Sequence, residues 1–391
     1  MNNSEQTGIV RLEDLPEKEI FISLKKNFYK KLEKKIRNYG IFKFCRKLKI
    51  SNRIICHWLT EDSLIRLDIL NKILFFFNYK LDNKIGFIRG KDGGCIHNPK
   101  LPFNFCNKEG VRIIAGILGD GGIPSQNNSP FYTNSNKPQI KGFLEDLKAV
   151  FGDIDYSIRK AKKDNCIIEI IELSPLVQKT FLKIGLKKGK KVETNPQIPK
   201  FIFNLEKEKI GNFLSQIIDD EGSINLKSRY LKIKFAVLSS KGVCNLSKGV
   251  YDLIKSLGIN CFLYNFEKRM IKKKERTHWL IQVSSIIELK KLYPFLNLRH
   301  KEKSNRFKLL FDTVKQIQYP KEGCTNIYLD IMKNIQQTKG FFTSYDISRE
   351  TERAIGSCRN TLLRFRKEGL IECIESYKTG KIPSSAKFKV F

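Results

Sequence analysis

Two acidic residues, each followed by glycine at the end of an apolar helical segment, are the first feature of this chain that could do chemistry. Asp120 ends the helical part of "IIAGILGDGGI" (residues 113–123), and Glu221 holds the matching place in "FLSQIIDDEGSI" (residues 213–224). A single acid of this kind would be interpreted as a cap for the following turn. Two carboxylates at a common helix end repel each other, and a bound cation compensates that cost. The pair therefore predicts a site for divalent metal.

The helices before these acids must bring them together. Ala115 and Gly119 lie four residues apart on one face of the first helix, and small side chains there let two helix backbones approach closely. The second helix carries a stripe of leucine and isoleucine that can pack against that face. If the two helices pack side by side, Asp120 and Glu221 emerge next to each other at the same end.

The charge of the chain predicts a polyanionic partner. Its 391 residues include 73 Lys plus Arg against 40 Asp plus Glu, a formal net charge of +33 that is spread along the whole length. Such a surface field attracts polyanions. No apolar run approaches the roughly 20 residues that span a bilayer, and the polar N-terminus lacks the basic flank and apolar stretch of a secretory signal. We expect a globular, cytoplasmic protein of several domains.

The ten cysteines are scattered singly, without a pair at C-x-x-C spacing, which favours reduced thiols in the core. The residues that most resemble metal ligands are Cys95, His97 and Cys106, and their spacing matches no common zinc site. Zinc is therefore not expected at this cluster.

The N-terminal segment, residues 20–78, has apolar residues at helical spacing. Within it, "FCRKLKISNRIICHWL" indicates a helix, a turn and a second helix capped by Ser51. This stretch resembles the helix-turn-helix of repressor-type DNA-binding domains, including their tryptophan, here Trp58. An ordinary helical bundle is the alternative. In the DNA-binding interpretation, Asn52 and Arg53 would reach base edges.

The rest of the chain divides by pattern. Residues 88–105 are rich in Gly, Pro and Asn, which predicts a linker. From 107 to 312, one order of helices and strands occurs twice, which we interpret as an internal duplication. The predicted division is a helical, helix-turn-helix-like domain at 1–90, a linker at 91–106, two halves of a core at 107–205 and 206–312, and a winged-helix-like domain at 313–391.

The C-terminal segment resembles a winged helix in its order of helices and a final hairpin. In "LLRFRKEGLIECIE" (residues 362–375), a helix stops at Gly369 and passes into a strand. Arg359 and Arg364 would contact DNA from a helix of this module. A solvated helix face or a protein-docking module is the alternative interpretation.

The two acidic motifs resemble those of the LAGLIDADG homing endonucleases in their single-chain form with two motifs. The resemblance extends over residues 100–312 and includes "LKIGLKKGKKVETNPQIPKFI" (182–202) and "YPFLNLRHKEKSNRFKLL" (293–310), which are similar to the closing segments of the two halves. It implies an α+β core of two pseudo-symmetric αββαββα halves, in which the motif helices form the central interface and antiparallel sheets form a saddle over DNA.

The resemblance also implies an activity, the metal-dependent, site-specific hydrolysis of phosphodiester bonds in double-stranded DNA by a monomer. Asp120 and Glu221 would hold Mg²⁺, for which Mn²⁺ can substitute, because hard oxygen ligands suit these ions. The backbone carbonyls of Gly119 and Asp220 could contribute to the metal site. Such cations can activate water and neutralise the charge that develops on the phosphate.

Further site residues follow from the same resemblance. Lys191 and Lys303 match the family's lysine in the two closing segments and would orient the water or stabilise the transition state; a plain phosphate contact is the alternative. Polar residues of the predicted sheets would face DNA: Gln126, Asn127, Asn134 and Asn136 in the first half, and Arg229, Lys232 and Lys234 in the second.

Two positions depart from the family pattern, because Gln216 and Asp220 stand where small residues are usual. Gln216 would widen the helix contact, and Asp220 would add a third carboxylate. A DNA-binding transcriptional regulator that has lost cleavage is one alternative function, favoured by the two flanking modules. An RNA-binding splicing cofactor with the same basic saddle is another. The chain ends lack the residues of protein splicing, so an intein is not expected.

Overall fold

The computed structural model describes residues 3–61, 64–81, 83–126, 129–163, 166–226, 229–312, 324–351, 353–375 and 385–391. These residues form a mixed α+β protein, as predicted. The chain divides into two compact units. The first comprises Met1–Gly222, Ile233–Ile281 and Pro294–His300, and the second comprises Ser223–Lys232, Gln282–Tyr293 and Lys301–Phe391.

The first unit begins with a region of helices and short strands. Its elements are α1 (Asn3–Thr7), β1 (Ile9–Val10), β2 (Ile20–Leu24), α2 (Lys26–Tyr39), α3 (Ile41–Leu48), α4 (Asn52–Glu61), β3 (Ile65–Arg66), α5 (Leu67–Phe76), β4 (Ile85–Gly90), β5 (Cys95–His97) and β6 (Phe103–Asn104). The prediction that residues 20–78 are helical throughout is wrong at β2 and β3. In β2, buried and half-buried residues alternate along the chain, which is the period of a strand and not of a helix.

Two later stretches of the chain share the succession αββαββα. The first contains α6 (Lys108–Leu118), β7 (Gly121–Gly122), β8 (Phe131–Asn134), α7 (Lys137–Phe151), the short β9 (Asp153–Ile154), β10 (Tyr156–Lys163), β11 (Cys166–Leu173), α8 (Pro175–Lys183) and α9 (Lys191–Thr194). The second contains α10 (Lys207–Glu221), β12 (Gly222–Asn225), β13 (Tyr230–Leu238), α11 (Asn245–Ser256), β14 (Phe262–Ile271), β15 (Lys274–Val283), α12 (Ile286–Leu292) and α13 (Lys301–Asp312). Their four-stranded sheets have the same strand order, β7-β8-β11-β10 and β12-β13-β15-β14.

Residues 91–106, for which the sequence predicts a linker, contain β5 and β6. β5 pairs antiparallel with β4 and with β9, and thereby belongs to a five-stranded sheet of order β3-β2-β4-β5-β9. Ile96, Phe103 and Phe105 are fully buried. The Gly- and Pro-rich composition therefore marks turns between short strands that each bury one residue.

The helices α6 and α10 pack side by side, as the spacing of small residues predicts. A Cβ atom on Gly119, just after α6, would lie 2.5 Å from Asp220 Oδ2 on α10, so the close approach requires glycine there. Farther along the pair, the buried Arg112 donates through Nε and Nη2 to Asn212 Oδ1 at 3.0 and 2.8 Å. Arg112 Nη2 also donates to the Asn297 carbonyl at 2.9 Å.

In the second unit, the C-terminal elements are α14 (Cys324–Lys339), α15 (Ser344–Thr351), α16 (Ile355–Lys367), β16 (Ile371–Cys373) and β17 (Phe388–Val390). β16 and β17 pair antiparallel, and Phe342 bridges Phe388. The core of this region is formed by Tyr328, Met332, Ile335, Phe342, Ile347, Cys358, Leu362, Phe365, Ile371, Ala386 and Phe388.

Among the cysteines that the structure describes, Cys45, Cys244, Cys261 and Cys358 are buried thiols, as expected for the core. The expectation fails for the half-buried Cys56, Cys95, Cys106 and Cys373 and for the exposed Cys166. Among the described helices, none combines the length and the apolar character needed to cross a membrane.

Candidate active site

Asp120 lies between the end of α6 and β7, where β8 supports it. Its carbonyl accepts a hydrogen bond from Thr133 Oγ1 at 2.9 Å, and its Oδ2 accepts one from Asn134 Nδ2 at 3.2 Å. β7 pairs antiparallel with β8, which brings these two side chains to the acid. A Cβ on Gly121 would lie 2.6 Å from the Phe131 carbonyl oxygen, so this pairing requires the glycine that follows the acid.

Asp220 precedes Glu221 on α10 and faces the end of α6. Its Oδ1 accepts hydrogen bonds from the Tyr132 hydroxyl at 2.8 Å and Gln216 Nε2 at 3.0 Å, and its Oδ2 lies 3.5 Å from the Asp120 backbone nitrogen. Burial, and next the negative charge of Asp120, raise the pKa of Asp220 well above its ordinary value, although the bonds from Tyr132 and Gln216 oppose this shift. Asp220 is therefore a carboxyl group held inside the interface.

Gln216 and Tyr132 extend this network into the core. Gln216 Nε2 lies 3.1 Å from the Tyr132 hydroxyl oxygen and 3.3 Å from Gln139 Oε1. The Tyr132 ring stacks on Phe143 with centroids 4.2 Å apart, and burial, with the charge of Asp220, raises the pKa of its hydroxyl group. Gln216 thus takes part in a hydrogen-bond network at the helix contact.

Lys191, at the start of α9, reaches the end of α6. Its Nζ donates to the Leu118 carbonyl at 3.0 Å and to the Gly119 carbonyl. The Gly189 N–H donates to the Ile123 carbonyl at 2.7 Å. This hydrogen bond joins the segment that contains Lys191 to the chain that follows Asp120. The ammonium group thereby satisfies carbonyls that the helix end leaves unpaired.

The electrostatics of Lys191 connect it with all three acids. Burial lowers the pKa of Lys191, and the negative charges of Glu221, Asp120 and Asp220 act against that change. Lys191 is therefore a partly desolvated positive charge among the carboxylates of both motif helices. The family resemblance predicted that this lysine of the closing segment acts near the acids, and its part in catalysis stays a prediction.

Glu221 is the last residue of α10 and is half-buried. Gly222 follows it, and a Cβ there would lie 2.6 Å from the Ile218 carbonyl oxygen, so the chain needs glycine to turn from the helix into β12. Both acids of the sequence pattern thus lie where a motif helix gives way to a strand.

Lys303, the counterpart of Lys191 in the sequence, lies half-buried on α13 in the second unit. Arg306 on the same helix donates from Nη1 to the Ile224 carbonyl at 3.3 Å. Ile224 occupies the same position after Glu221 that Ile123 occupies after Asp120. In both halves, a residue of the closing segment therefore donates a hydrogen bond to the carbonyl of this isoleucine.

An ion pair that the sequence did not reveal lies beside α10 and supports it. Arg299 donates from Nη1 and Nη2 to the two carboxylate oxygens of Asp146 at 2.6 and 2.7 Å. The Arg299 and His300 N–H groups donate to Asp219 at 2.8 and 3.2 Å. A Cβ on Gly142 would lie 2.5 Å from Arg299 Nε. Asp219, the first acid of the Asp-Asp-Glu run, is thus a structural residue, which its position in the sequence does not reveal.

The DNA-facing candidates of the first half have different environments. Gln126 is exposed, and Asn127 lies outside the described residues. Asn134 is bonded to Asp120, and its Oδ1 accepts the Asn136 N–H at 2.9 Å. Asn136 caps α7 by accepting the Gln139 N–H at 3.4 Å. Asn134 and Asn136 therefore have positioning roles inside the fold, which their types alone could not show.

In the second half, the candidates lie on or just before β13. The strand buries Leu231, Ile233, Phe235 and Val237 and leaves the alternate residues half-exposed, as its sequence predicts. Lys232 Nζ lies 4.3 Å from the ring centroid of Tyr230, and Lys234 pairs with Glu267 at 2.5 Å. Arg229 has a φ of 54°, the left-handed region of a tight turn.

The candidates in the flanking regions lie on helices. Asn52 and Arg53 are exposed at the start of α4, while Trp58 on the same helix is buried. On α16, Arg359 is half-buried, and Arg364 is exposed with its Nε 3.7 Å from a carboxylate oxygen of Glu368.

No family model matches the chain. It is 27% identical over 228 residues to glutamine–fructose-6-phosphate aminotransferase (isomerizing) of Methanocaldococcus jannaschii, an alignment that covers 56% of this chain and 19% of that protein. The chain thus matches about a fifth of the length of this relative.

Similar solved structures include the homing endonuclease I-DmoI in complex with DNA and Ca (TM-score 0.34, 13% identity, 52% of this chain and 98% of that chain). Full-length DUF199/WhiA from Thermatoga maritima is another (TM-score 0.36, 12% identity, 69% of this chain and 93% of that chain). Likenesses at these TM-scores define neither the fold nor the function of the chain.

Proposed function

We propose that the chain is a site-specific, metal-dependent endonuclease of the LAGLIDADG type that acts on double-stranded DNA as a monomer. The observation that carries this proposal is the joint end of α6 and α10, where Lys191 lies in the field of Asp120, Asp220 and Glu221. Carboxylates, backbone carbonyls and an ammonium group gathered at one helix end suit the binding of cations and phosphate oxygens.

The donor atoms available fit a hard divalent cation. Asp120 and Glu221 offer half-buried carboxylates, and the Gly119 carbonyl adds a backbone oxygen. Oxygen donors of this kind suit Mg²⁺ or Mn²⁺. Such a cation supplies charge neutralisation at the phosphate and a water molecule of lowered pKa. The carboxyl group of Asp220 is bonded to Tyr132 and Gln216 instead, so we assign it to the support of the site.

The residues around the acids would orient them. Asn134 donates to Asp120 and holds its carboxylate toward the end of α6. Lys191 would stabilise the negative charge that develops on the scissile phosphate, since a partly desolvated ammonium acts more strongly there than in water. From its place in the sequence, Lys303 is proposed for the same role in the second half.

DNA binding would rest on the positive surface. The net charge of +33 supports contacts to phosphates, and their affinity depends on the release of counterions. Gln126, Arg229, Lys232 and Lys234 are the proposed contacts of the core. Asn52 and Arg53 on α4 are proposed for base edges, and Arg359 and Arg364 on α16 for a winged-helix contact.

The proposed domains follow the predicted division at 1–90, 91–106, 107–205, 206–312 and 313–391. The shared αββαββα succession and the shared strand order support a duplicated core at 107–312. The turn between α3 and α4 supports a helix-turn-helix, and the order of α14, α15, α16, β16 and β17 supports a winged helix.

A DNA-binding regulator without cleavage is the second candidate function. One observation favours it: Lys191 donates to the Gly119 carbonyl, the backbone oxygen that the nuclease would offer to the metal. A fixed ammonium group at that carbonyl could replace the cation. The two functions share the DNA surface and differ in whether a product is formed.

Cleavage of a DNA library separates the two functions. The full chain is incubated with random-sequence double-stranded DNA in Mg²⁺ or Mn²⁺, and the cut ends are ligated and sequenced. We expect one family of cut sites in either metal and none in excess chelator. Binding of a defined site without a cut product at any metal concentration would reject the nuclease and support the regulator.

A further inference from the structure

Three side chains of metal-ligand type meet on the five-stranded sheet. Cys95 Sγ, a ring nitrogen of His97 and a carboxylate oxygen of Asp155 all lie within 4.8 Å of one another. Cys95 and His97 flank the buried Ile96 on β5, so the alternation of a strand places them on one face. β5 pairs with β9 in the register Ile96↔Ile154, which brings Asp155 opposite Cys95.

Two hydrogen bonds join Cys95 to Asp155, and the ring of His97 packs beside them. The Cys95 N–H donates to Asp155 Oδ2 at 2.8 Å, and the Asp155 N–H donates to the Cys95 carbonyl at 2.9 Å. The other carboxylate oxygen, Oδ1, lies 3.8 Å from His97 Nε2. The His97 ring packs on Phe87, with centroids 5.3 Å apart. The cluster is therefore oriented before any ligand arrives.

We propose that Cys95, His97 and Asp155 bind Zn²⁺ or a similar thiophilic divalent ion, with water completing a tetrahedral site. One thiolate, one imidazole and one carboxylate form a donor set that transition metals of this class accept. With metal–ligand bonds of about 2.0–2.3 Å, tetrahedral ligand atoms lie about 3.3–3.6 Å apart. The 3.8 Å between His97 and Asp155 therefore has to shorten only slightly. The His97 and Asp155 side chains are 49% and 55% exposed, so an ion can enter from solvent.

This ligand set differs from Cys95, His97 and Cys106, at which the sequence led us to expect no zinc. Cys106 Sγ donates to the Thr7 carbonyl at 2.9 Å and does not belong to the cluster. Asp155 takes the third place through the pairing of β5 with β9, although it follows Cys95 by 60 residues. The spacing of Cys95, His97 and Cys106 matches no zinc motif because the third ligand comes from another strand.

Titration of the metal-free full chain with Co²⁺ tests the proposal, because a cobalt–thiolate bond gives a charge-transfer absorption in the near ultraviolet. We expect a band that saturates at one equivalent and disappears when Zn²⁺ is added. Cys95→Ser should abolish the band, while His97→Ala and Asp155→Ala should weaken Co²⁺ binding by about tenfold or more. Cys106→Ser and Cys166→Ser, which change two other free thiols, should leave the band unchanged.

Three results would contradict the proposed metal site: the absence of a saturable band in the wild-type chain, a band that persists in Cys95→Ser, and a band that depends on Cys106 and not on Asp155. Circular dichroism of each variant shows whether it has kept the wild-type fold. Asp120→Asn and Glu221→Gln should retain the band, since the cluster shares no residue with the proposed nuclease site.

Discussion

The hydroxyl group of Tyr132 donates a hydrogen bond to Asp220 Oδ1 at 2.8 Å and thereby joins the sheet of the first half to the second motif helix. The same carboxyl group also accepts from Gln216, and the Cβ of its residue lies 2.9 Å from the position that a Cβ on Gly119 would take. A half-buried acid that accepts hydrogen bonds from both halves thus lies at the interface between the motif helices. The acid that follows on α10, Glu221, is the one to which we assign the metal chemistry.

Tyr132→Phe removes one of these donors and keeps the stacked ring. We expect a loss of about 1–3 kcal/mol in the free energy of unfolding, the contribution of one hydrogen bond to a charged group, although Gln216 still donates to the same oxygen. The bond from Tyr132 lowers the pKa of Asp220, so its loss costs more where Asp220 is ionised, and the destabilisation should increase as the pH rises through the folded pKa of Asp220. Urea unfolding over a series of pH values measures this, with Tyr345→Phe, an exposed tyrosine, as the control. Equal losses for the two variants would contradict the role of the bond.

Asp220→Asn tests the raised pKa directly. A carboxyl group whose pKa is raised in the folded state takes up protons on folding, so its contribution to stability falls as the pH rises from the ordinary aspartate range through the folded pKa. Asparagine keeps an acceptor for Tyr132 and Gln216 without the buried charge. The variant should therefore gain in melting temperature over the wild type at high pH, roughly 2–4 °C for each kcal/mol, and the gain should shrink toward low pH. A gain that is the same at every pH would reject this account.

The local patterns of the sequence predicted the glycines and small residues on which the backbone around the two acids depends, while the roles of the acids themselves stay a prediction. Glycine after each acid and small residues one turn apart are constraints within a few residues, and the structure shows why: Gly119, Gly121 and Gly222 each face an atom that a Cβ would meet closer than 3 Å. The alternation along β13 is likewise a local property, and its buried residues follow it.

The features that the sequence did not reveal depend on contacts between distant segments. Nothing local distinguishes Asp219, which binds two backbone N–H groups, from Asp220 and Glu221. Asp155 joins Cys95 only through the pairing of β5 and β9. The helical interpretation of residues 20–24 was wrong because a short apolar run fits either period, and pairing with β3 and β4 decides between them.

Asp120→Asn and Glu221→Gln should each abolish cleavage of double-stranded DNA. Either change removes one proposed metal ligand, and DNA binding should be unchanged or tighter, because one negative charge near the phosphates is lost. The melting temperatures should match that of the wild type, since Asn at position 120 can still accept from Asn134. Glu145→Gln, on the exposed face of α7, is the matched control and should cleave normally. Full cleavage by Asp120→Asn would leave the metal site without support.

Lys191→Met separates catalysis from binding. Methionine keeps much of the buried side-chain volume and removes the ammonium group that bonds the Leu118 and Gly119 carbonyls. We expect cleavage under saturating protein to fall by about 10²–10³-fold, as for removal of one group that stabilises developing charge, with little change in DNA affinity. Lys187 is an exposed lysine of the same segment, and Lys187→Met should change neither the cleavage rate nor the DNA affinity. A loss of affinity with normal cleavage would show that Lys191 is a phosphate contact only.

Arg53→Ala and Arg364→Ala test the flanking helices, where both side chains are exposed. Each change should weaken DNA binding and lower the slope of log affinity against log salt by about one, because one fewer counterion is released. Arg53 is proposed to read a base edge, so its loss should also relax the preference at one position of the site, whereas the loss of Arg364 should weaken all sequences alike. Cleavage at saturating protein should persist in both variants. Arg37→Ala, on α2 and paired with Glu33 at 2.9 Å, is the control. If both Arg53→Ala and Arg364→Ala keep the wild-type affinity and salt slope, these helices do not contact DNA, and the core alone binds it.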